Sequence, residues 1–409
     1  MTLVAFWFVV LAVVWTGFLL LEGFDFGVGM LHGVVGRDEA GRDLAIRSIG
    51  PVWDGNEVWL VLAAAGTFAA FPVWYATMFS AYYPVLVVVL VALILRGVSF
   101  EFRAHSGSTR ARALWSGALT GGSLVVPLGL GILLGGLLAG VPIDSAQEFV
   151  GGAGDLFPAY ALMTGATVVL VCLVHGAVFL ALKTTAALRR RALGIARALA
   201  PVVAVVVTGW AAWTRVTAGD GVLLSVAEFG AILAAITAAA FVHVRREGLA
   251  FAATAATMAA LTTSIFSELY PRVMVSSLGP ANDLTTTSTA SASYALTVMT
   301  VVLAVLLPVV LAYQAWTYHV FRARLRGPAP TPPGSALAGA RGEAVAAVDP
   351  SGPAPGTNST APGATTTALV RAVRPLGRPR LRVLVVLLGW AILRHLIRPE
   401  LLPPRRPRW

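Results

Sequence analysis

The sequence predicts an all-α protein that crosses a membrane many times, and three observations predict it. Hydrophobic residues make up 57% of the chain and charged residues only 12%, where a soluble domain carries about 25% charged residues. Apolar runs near the roughly 20 residues needed to cross a bilayer recur along the chain, and the mean hydropathy is +0.80. The basic residues fall between those runs, so the net charge of +11 reads as topogenic charge and not as a nucleic-acid surface. In such a chain the central problem is how polar groups are satisfied in lipid.

Nine spans are predicted, near 4–24, 52–71, 76–95, 117–140, 158–182, 198–217, 222–244, 248–269 and 294–319. Met1-Thr2-Leu3-Val4 has no basic leader region and no clear cleavage site, so the first run reads as a retained span. The connecting segments then divide by charge. On one side fall Arg37, Arg42 and Arg47, then Arg96, Arg103, Arg110 and Arg112, then Lys183, Arg189, Arg190, Arg191 and Arg197. Arg245, Arg246, Arg322, Arg324 and Arg326 join them. The other side has only Arg215 and Arg272, and its 141–157 segment carries Asp144, Glu148 and Asp155. The positive-inside rule therefore puts the N-terminus outside and the C-terminus in the cytoplasm. Trp7, Trp74, Trp210, Trp213, Trp316 and Tyr318 fall at span ends, as interfacial aromatics do.

Residues 1–326 form the membrane domain on this reading. The 327–380 segment is rich in Pro, Ala, Gly and Thr and buries too little apolar surface to fold, so it is predicted to be a disordered linker. In 381–409 an apolar stretch from Leu381 to Leu393 has arginines on both flanks. It is too short to span comfortably. It reads as a segment lying on an anionic leaflet or as a weakly specified tail.

Chemistry is concentrated in Gly50-Pro51-Val52-Trp53-Asp54-Gly55-Asn56-Glu57-Val58-Trp59-Leu60, at the head of the second span. A carboxylate near bilayer depth is costly unless paired, hydrated or neutral. Asp54 and Glu57 are three apart and share a helix face. One reading is structural, since Gly50-Pro51 suits a helix start and an acid in the first turn complements the helix dipole. The other is a proton or cation path, because Trp53, Asn56 and Trp59 add polar-tipped groups beyond what a cap needs. Glu22-Gly23-Phe24-Asp25-Phe26-Gly27-Val28-Gly29-Met30 closes the first span. Its glycines permit close approach of another helix. Asp25 is a functional candidate there, against a simple capped helix end. In Arg96-Gly97-Val98-Ser99-Phe100-Glu101-Phe102-Arg103, Glu101 is placed to pair with either arginine or to relay protons from water. His175 lies deep in the fifth span, Glu228 within the seventh and Glu268 in the eighth near its outer end. A lone buried histidine is more often a hydrogen-bonded interior residue than a ligand. Cys172 is the one cysteine, which excludes an internal disulfide and gives no metal motif. No phosphate loop, dinucleotide fingerprint or zinc-type spacing is present.

These stretches, with Phe71-Pro72-Val73-Trp74, His175-Gly176-Ala177, Leu182-Lys183-Thr184, Tyr270-Pro271 and Tyr313-Gln314-Ala315-Trp316-Thr317-Tyr318, resemble subunit II of the cytochrome bd-type quinol oxidases. The resemblance covers residues 1 to about 326. It implies two four-helix bundles plus a peripheral helix, in the bacterial cytoplasmic membrane. It further implies a haem-free subunit paired with subunit I, which holds haem b and haem d and oxidises quinol while dioxygen is reduced to water. It admits small accessory subunits and a structural quinone in this subunit, although no residue here stands out as a cofactor or metal ligand. By resemblance Asp54 is the intramembrane proton-route acid, with Asp25, Glu101 and Glu57 as further candidates. Trp59 lies by an oxygen path, and Arg96, Trp53 and Asn56 support the polar cluster. Two other functions compete with this one. An ion-coupled secondary transporter would use Asp54, Glu57 and Glu228 near the midplane, but it predicts internal repeats that are not evident. A pure scaffold would use the same acids as caps and anchors.

Overall fold

A computed structural model describes residues 2–219 and 223–325. The 327–380 linker, the 381–409 tail and Arg326 lie outside the described residues. The fold is almost wholly helical. In order, the helices are α1 (Leu3–Val35), α2 (Glu39–Arg47), α3 (Trp53–Ala70), α4 (Pro72–Ala81), α5 (Tyr83–His105) and α6 (Thr109–Ala139). They continue as α7 (Ala159–Lys183), α8 (Ala186–Ala218), α9 (Val226–His243), α10 (Glu247–Leu269), α11 (Thr286–Thr289) and α12 (Ser293–Val320). A small antiparallel pair, β1 (Arg272–Met274) and β2 (Leu284–Thr285), sits between α10 and α11.

Among the described residues, α1, α5, α6, α7, α8, α9, α10 and α12 are long and apolar enough to cross a membrane. The predicted 52–71 span is α3, which has 18 residues but is not one of these eight. Asp54, Asn56 and Glu57 make its first turns too polar.

Several boundaries differ from the sequence prediction, each for a local reason. The predicted 4–24 span stops at the acids, yet α1 runs on to Val35 and buries Glu22, Asp25 and His32 along with its apolar residues. The apolar pattern Phe24, Phe26, Val28, Met30 and Leu31 carries the helix past the charges. Thr2 starts it by accepting the amide of Ala5. Span 76–95 is divided. Pro72 begins α4 at its first turn, Pro84 begins α5 at its first turn, and Tyr82 caps the break between them. Proline lacks the N–H that a continuous helix would need at these points. As a result α5 extends to His105, and Arg96 and Arg103 are buried helix residues rather than loop charges. Arg189, Arg190, Arg191 and Arg197 likewise belong to a helix, α8, with side chains that stay partly or fully exposed, and Arg215 is buried near its other end.

α1 is the central post, packed against α3, α6, α7 and α10, while α5 pairs with α6 and α9 with α10. Its crossing with α7 is a glycine contact. A Cβ on Gly27 would stand 2.0 Å from the Cys172 carbonyl oxygen, and one on Gly176 would stand 2.4 Å from the Gly27 carbonyl carbon. Both obstructions are backbone, so neither can step aside. Gly27→Ala is therefore expected to force the two helices apart. Overpacking of this kind costs about 1–3 kcal/mol, to be read as a lower melting temperature and reduced yield of the folded chain in detergent. Gly33→Ala, with nothing within 4 Å of the added atom, should leave both unchanged. α12 lies at the edge and buries only Leu296. It is pinned to α1 by Trp7, whose indole N–H reaches the Leu296 carbonyl at 3.1 Å and the Thr300 hydroxyl at 3.0 Å.

Candidate functional site

The acids of α1 meet partners from three other helices. Glu22 and Asp25 are three residues apart, so they occupy one face of α1, and both are wholly buried. Arg96 comes from α5 and is also wholly buried. Its guanidinium lies 2.6 Å from Glu22 and 3.3 Å from Glu57 of α3. Aromatic faces enclose the cation: Phe26 at 4.9 Å, Phe100 at 5.5 Å and Trp53 at 5.8 Å. Trp53 stacks on Phe100 at 4.5 Å between centroids, which fixes the wall of this cage.

Asn56 stands beside Glu57 on α3 and serves the second acid. Its amide N–H groups donate to Asp25 Oδ2 at 2.7 Å and to the Leu21 carbonyl at 3.2 Å. Its carbonyl oxygen accepts from the Gln314 amide at 3.0 Å and from the Tyr318 hydroxyl at 2.9 Å. Gln314 in turn accepts the Trp59 indole N–H at 3.0 Å. This chain of bonds leaves Asn56 fully used. Asp25 Oδ1 is different, being buried with no hydrogen-bond partner among the described residues. Two carboxyl groups, Glu22 and Glu57, thus share one guanidinium, and a third, Asp25, lies one turn from Glu22 on the same helix face with no ion pair of its own among the described residues.

The structure therefore brings Asp25, Glu57, Arg96, Trp53 and Asn56 together, with Trp59 at their edge. It keeps the other two candidates apart. Asp54 is exposed on the first turn of α3, one turn before Glu57. Glu101 does not pair with Arg96 or Arg103. Its side chain is 79% exposed beside His105, and Arg103 turns to Glu39 and Asp43 instead. The residues whose part in the site sequence reasoning missed are Glu22, read as a helix end, Gln314, read only as part of a resemblance, and Tyr318, read as an interfacial aromatic and as part of that resemblance. The continued apolar pattern beyond Asp25 was the available signal for Glu22. Gln314 lies 258 residues from Asn56, and no local pattern announces such a contact.

Glu228 and Glu268 belong to a second, separate group around Arg215. Glu228 Oε2 caps its own helix by accepting the Ser225 amide at 2.7 Å, which explains part of its burial. His175 has both ring nitrogens engaged, Nδ1 with the Thr254 hydroxyl at 2.7 Å and Nε2 with the Leu20 carbonyl at 3.3 Å. It also stacks on Phe251 at 4.5 Å. It offers no free nitrogen to a haem iron, so a haem does not fit at this histidine. Among the described residues no three His, Cys, Asp or Glu side chains gather as a metal site.

A many-helix membrane protein with a buried cluster of acids around one arginine is thus the class that fold and site define. Residues 3–321 match the family model of the cytochrome bd terminal oxidase subunit II. The cytochrome bd ubiquinol oxidase subunit 2 of Bacillus subtilis is 41% identical over 323 residues, which are 78% of this chain and 96% of that protein. The cytochrome bd-I ubiquinol oxidase subunit 2 of Escherichia coli K12 is 31% identical over 350 residues, covering 76% of this chain and 92% of its own length. A chain in the structure of bd oxidase from Geobacillus thermodenitrificans shares the fold, with a TM-score of 0.59 at 21% identity over 78% of this chain and 99% of that one. The chain belongs to the cytochrome bd terminal oxidase subunit II family. It is a multi-pass protein of the bacterial cytoplasmic membrane and a subunit of an oxidoreductase.

Proposed function

We propose that this chain is the haem-free subunit of a quinol oxidase and supplies protons and an apolar oxygen path to a haem-bearing subunit I. Haem b and haem d in that partner would supply the redox chemistry, with quinol oxidised there. Nine crossings would be made by α1, α3, α5 to α10 and α12. The N-terminus is then outside, which sets the N-terminal end of α3 and the far end of α5 on the cytoplasmic side with the arginines of the α1–α3 segment. Small accessory subunits and a structural quinone are compatible with this arrangement.

The buried group of Glu22, Asp25, Glu57 and Arg96 carries the reading. Each dioxygen reduced to water consumes protons, and a buried reaction site needs carriers for them. A cluster with more carboxyls than counter-charges can take up a proton and give it on. Asp54, exposed, would be the mouth of the route, with Glu101 gathering protons on the same side. Glu57 comes next, one turn further in, facing Asp25 and Glu22 of α1; Glu22, held by Arg96, lies one helical turn deeper than Asp25 and is innermost. Asn56, donating to Asp25 and held by Gln314 and Tyr318, would fix the orientation of the Asp25 carboxyl. For dioxygen, an apolar cavity of about 610 Å³ opens beside α3, with Trp15, Leu60, Phe68 and Leu90 among its walls. Trp59 precedes Leu60 in sequence but does not line the cavity, its indole turning to Gln314 instead.

The test is to purify the tagged chain from its native membrane in mild detergent and record a reduced-minus-oxidised visible spectrum. Bands of b- and d-type haem with a co-eluting larger subunit are expected. Asp54→Asn should then slow oxygen uptake at unchanged haem content, by roughly 10-fold or more if it is the principal mouth. A colourless chain that emerges alone from intact membranes would overturn the assignment.

A further inference from the structure

A pocket of about 340 Å³ lies apart from the acid cluster, where α7 and α12 end and α2 passes into α3. Helix ends in a membrane protein lie near the level of the lipid headgroups. The pocket has two unlike halves. Its floor includes the aromatic rings of Phe179, Phe251 and Phe321, and its remaining polar and charged lining includes Arg47, Lys183, Arg322 and Arg324, with no carboxylate. The outer wall is a strap formed by the residues after α12. Lys183 Nζ donates to the Phe321 carbonyl and, at 3.3 Å, to the Ala323 carbonyl. The Leu325 amide donates to the Lys183 carbonyl at 2.7 Å, and Arg324 is 2.8 Å from Glu247. Lys183 and Arg324 therefore build the wall. Arg47 makes no ion pair or side-chain hydrogen bond among the described residues, and Arg322 is engaged only by His319. Both side chains are exposed.

An aromatic floor beneath unneutralised guanidinium groups at headgroup level fits an amphiphile with an apolar chain and an anionic head. We propose that this pocket binds an anionic phospholipid, with the start of one acyl chain against Phe179, Phe251 and Phe321 and the phosphate held by Arg47 and Arg322. Guanidinium suits phosphate because its planar fork presents paired donors. A zwitterionic lipid lacks the net charge that the basic lining favours. A cavity of this size lies at the lower end of ordinary ligand sites, enough for the headgroup-proximal part of one chain and not for a whole lipid.

The experiment uses the complex as purified, stripped of lipid by detergent exchange and titrated with phosphatidylglycerol in micelles. Native mass spectrometry counts retained lipid, and thermal melting follows the titration. Wild type is expected to retain phosphatidylglycerol and to melt higher as it is added. The Arg47→Gln, Arg322→Gln double variant should need about 10- to 30-fold more of the lipid for the same shift, with unchanged melting before lipid is added. Phosphatidylcholine should not substitute. Equal response of the double variant, equal response to phosphatidylcholine, or the full shift with inorganic phosphate alone would each overturn the proposal.

Discussion

Arg96→Gln is expected to leave little assembled complex, and what assembles should melt well below wild type. The reason is the company Arg96 keeps. Glu22 and Arg96 are both wholly buried, and the guanidinium is the cation within 4 Å of both Glu22 and Glu57. Taking one partner from a buried pair leaves an uncompensated charge and costs about 3–5 kcal/mol. Arg96→Lys should recover part of the loss. It restores the charge but not the planar group that rests over Phe26, Phe100 and Trp53. The discriminating variant is Arg96→Gln combined with Glu22→Gln, which removes both charges and leaves two amides able to bond one another. Its melting temperature should rise back toward wild type. If Arg96→Gln alone assembles and melts as wild type does, Arg96 is not the counter-charge of this cluster.

The same cluster shows how far the sequence could be read. Composition and apolar spacing were enough for the helical membrane class, because lipid permits few other solutions for backbone polar groups. The motif around Trp53, Asn56 and Glu57 was legible as chemistry because those residue types are expensive at the head of a span. What the sequence did not disclose was depth. Charged residues mark span ends in most helices, so Glu22, Asp25 and Arg96 were assigned to ends. Yet each sits inside a longer helix, and only the pairing across α1, α3 and α5 makes that position tolerable. Pairing between helices has no local trace, and so Glu101, adjacent in sequence to Phe100 of the cage, faces outward while Arg96 faces in. Pro72 and Pro84 each start a new helix, so α5 begins later than the predicted 76–95 span and runs on to His105, with Arg96 inside the helix and beside Glu22.

Asp25→Asn is the substitution expected to separate proton transfer from architecture. Asparagine has nearly the volume of aspartate, and its carbonyl oxygen can still accept the Asn56 amide that Oδ2 accepts at 2.7 Å. The partners on α12 touch Asn56 and not Asp25, so the bonds from Gln314 and Tyr318 persist. Assembly and haem content of the complex should therefore match wild type. Asp25 Oδ1, buried without a partner among the described residues, is the atom that would hold a moving proton, and the amide NH2 that takes its place cannot take that part. Loss of a positioned acid–base group typically costs 10²–10⁴-fold in the step it serves. Oxygen uptake should thus fall by at least roughly 10-fold, allowing for leakage of protons through Glu22 and water. Asp25→Glu should restore some of the rate, because it returns a carboxyl even though its extra methylene crowds the α1–α3 contact. A purely structural role would give the reverse order, with Asp25→Asn active and Asp25→Glu impaired by crowding. A solvent deuterium effect on oxygen uptake that grows in Asp25→Asn would place the slowed step at proton delivery. Full turnover of Asp25→Asn at full haem content would remove Asp25 from the route and leave Glu57 and Glu22 to carry it.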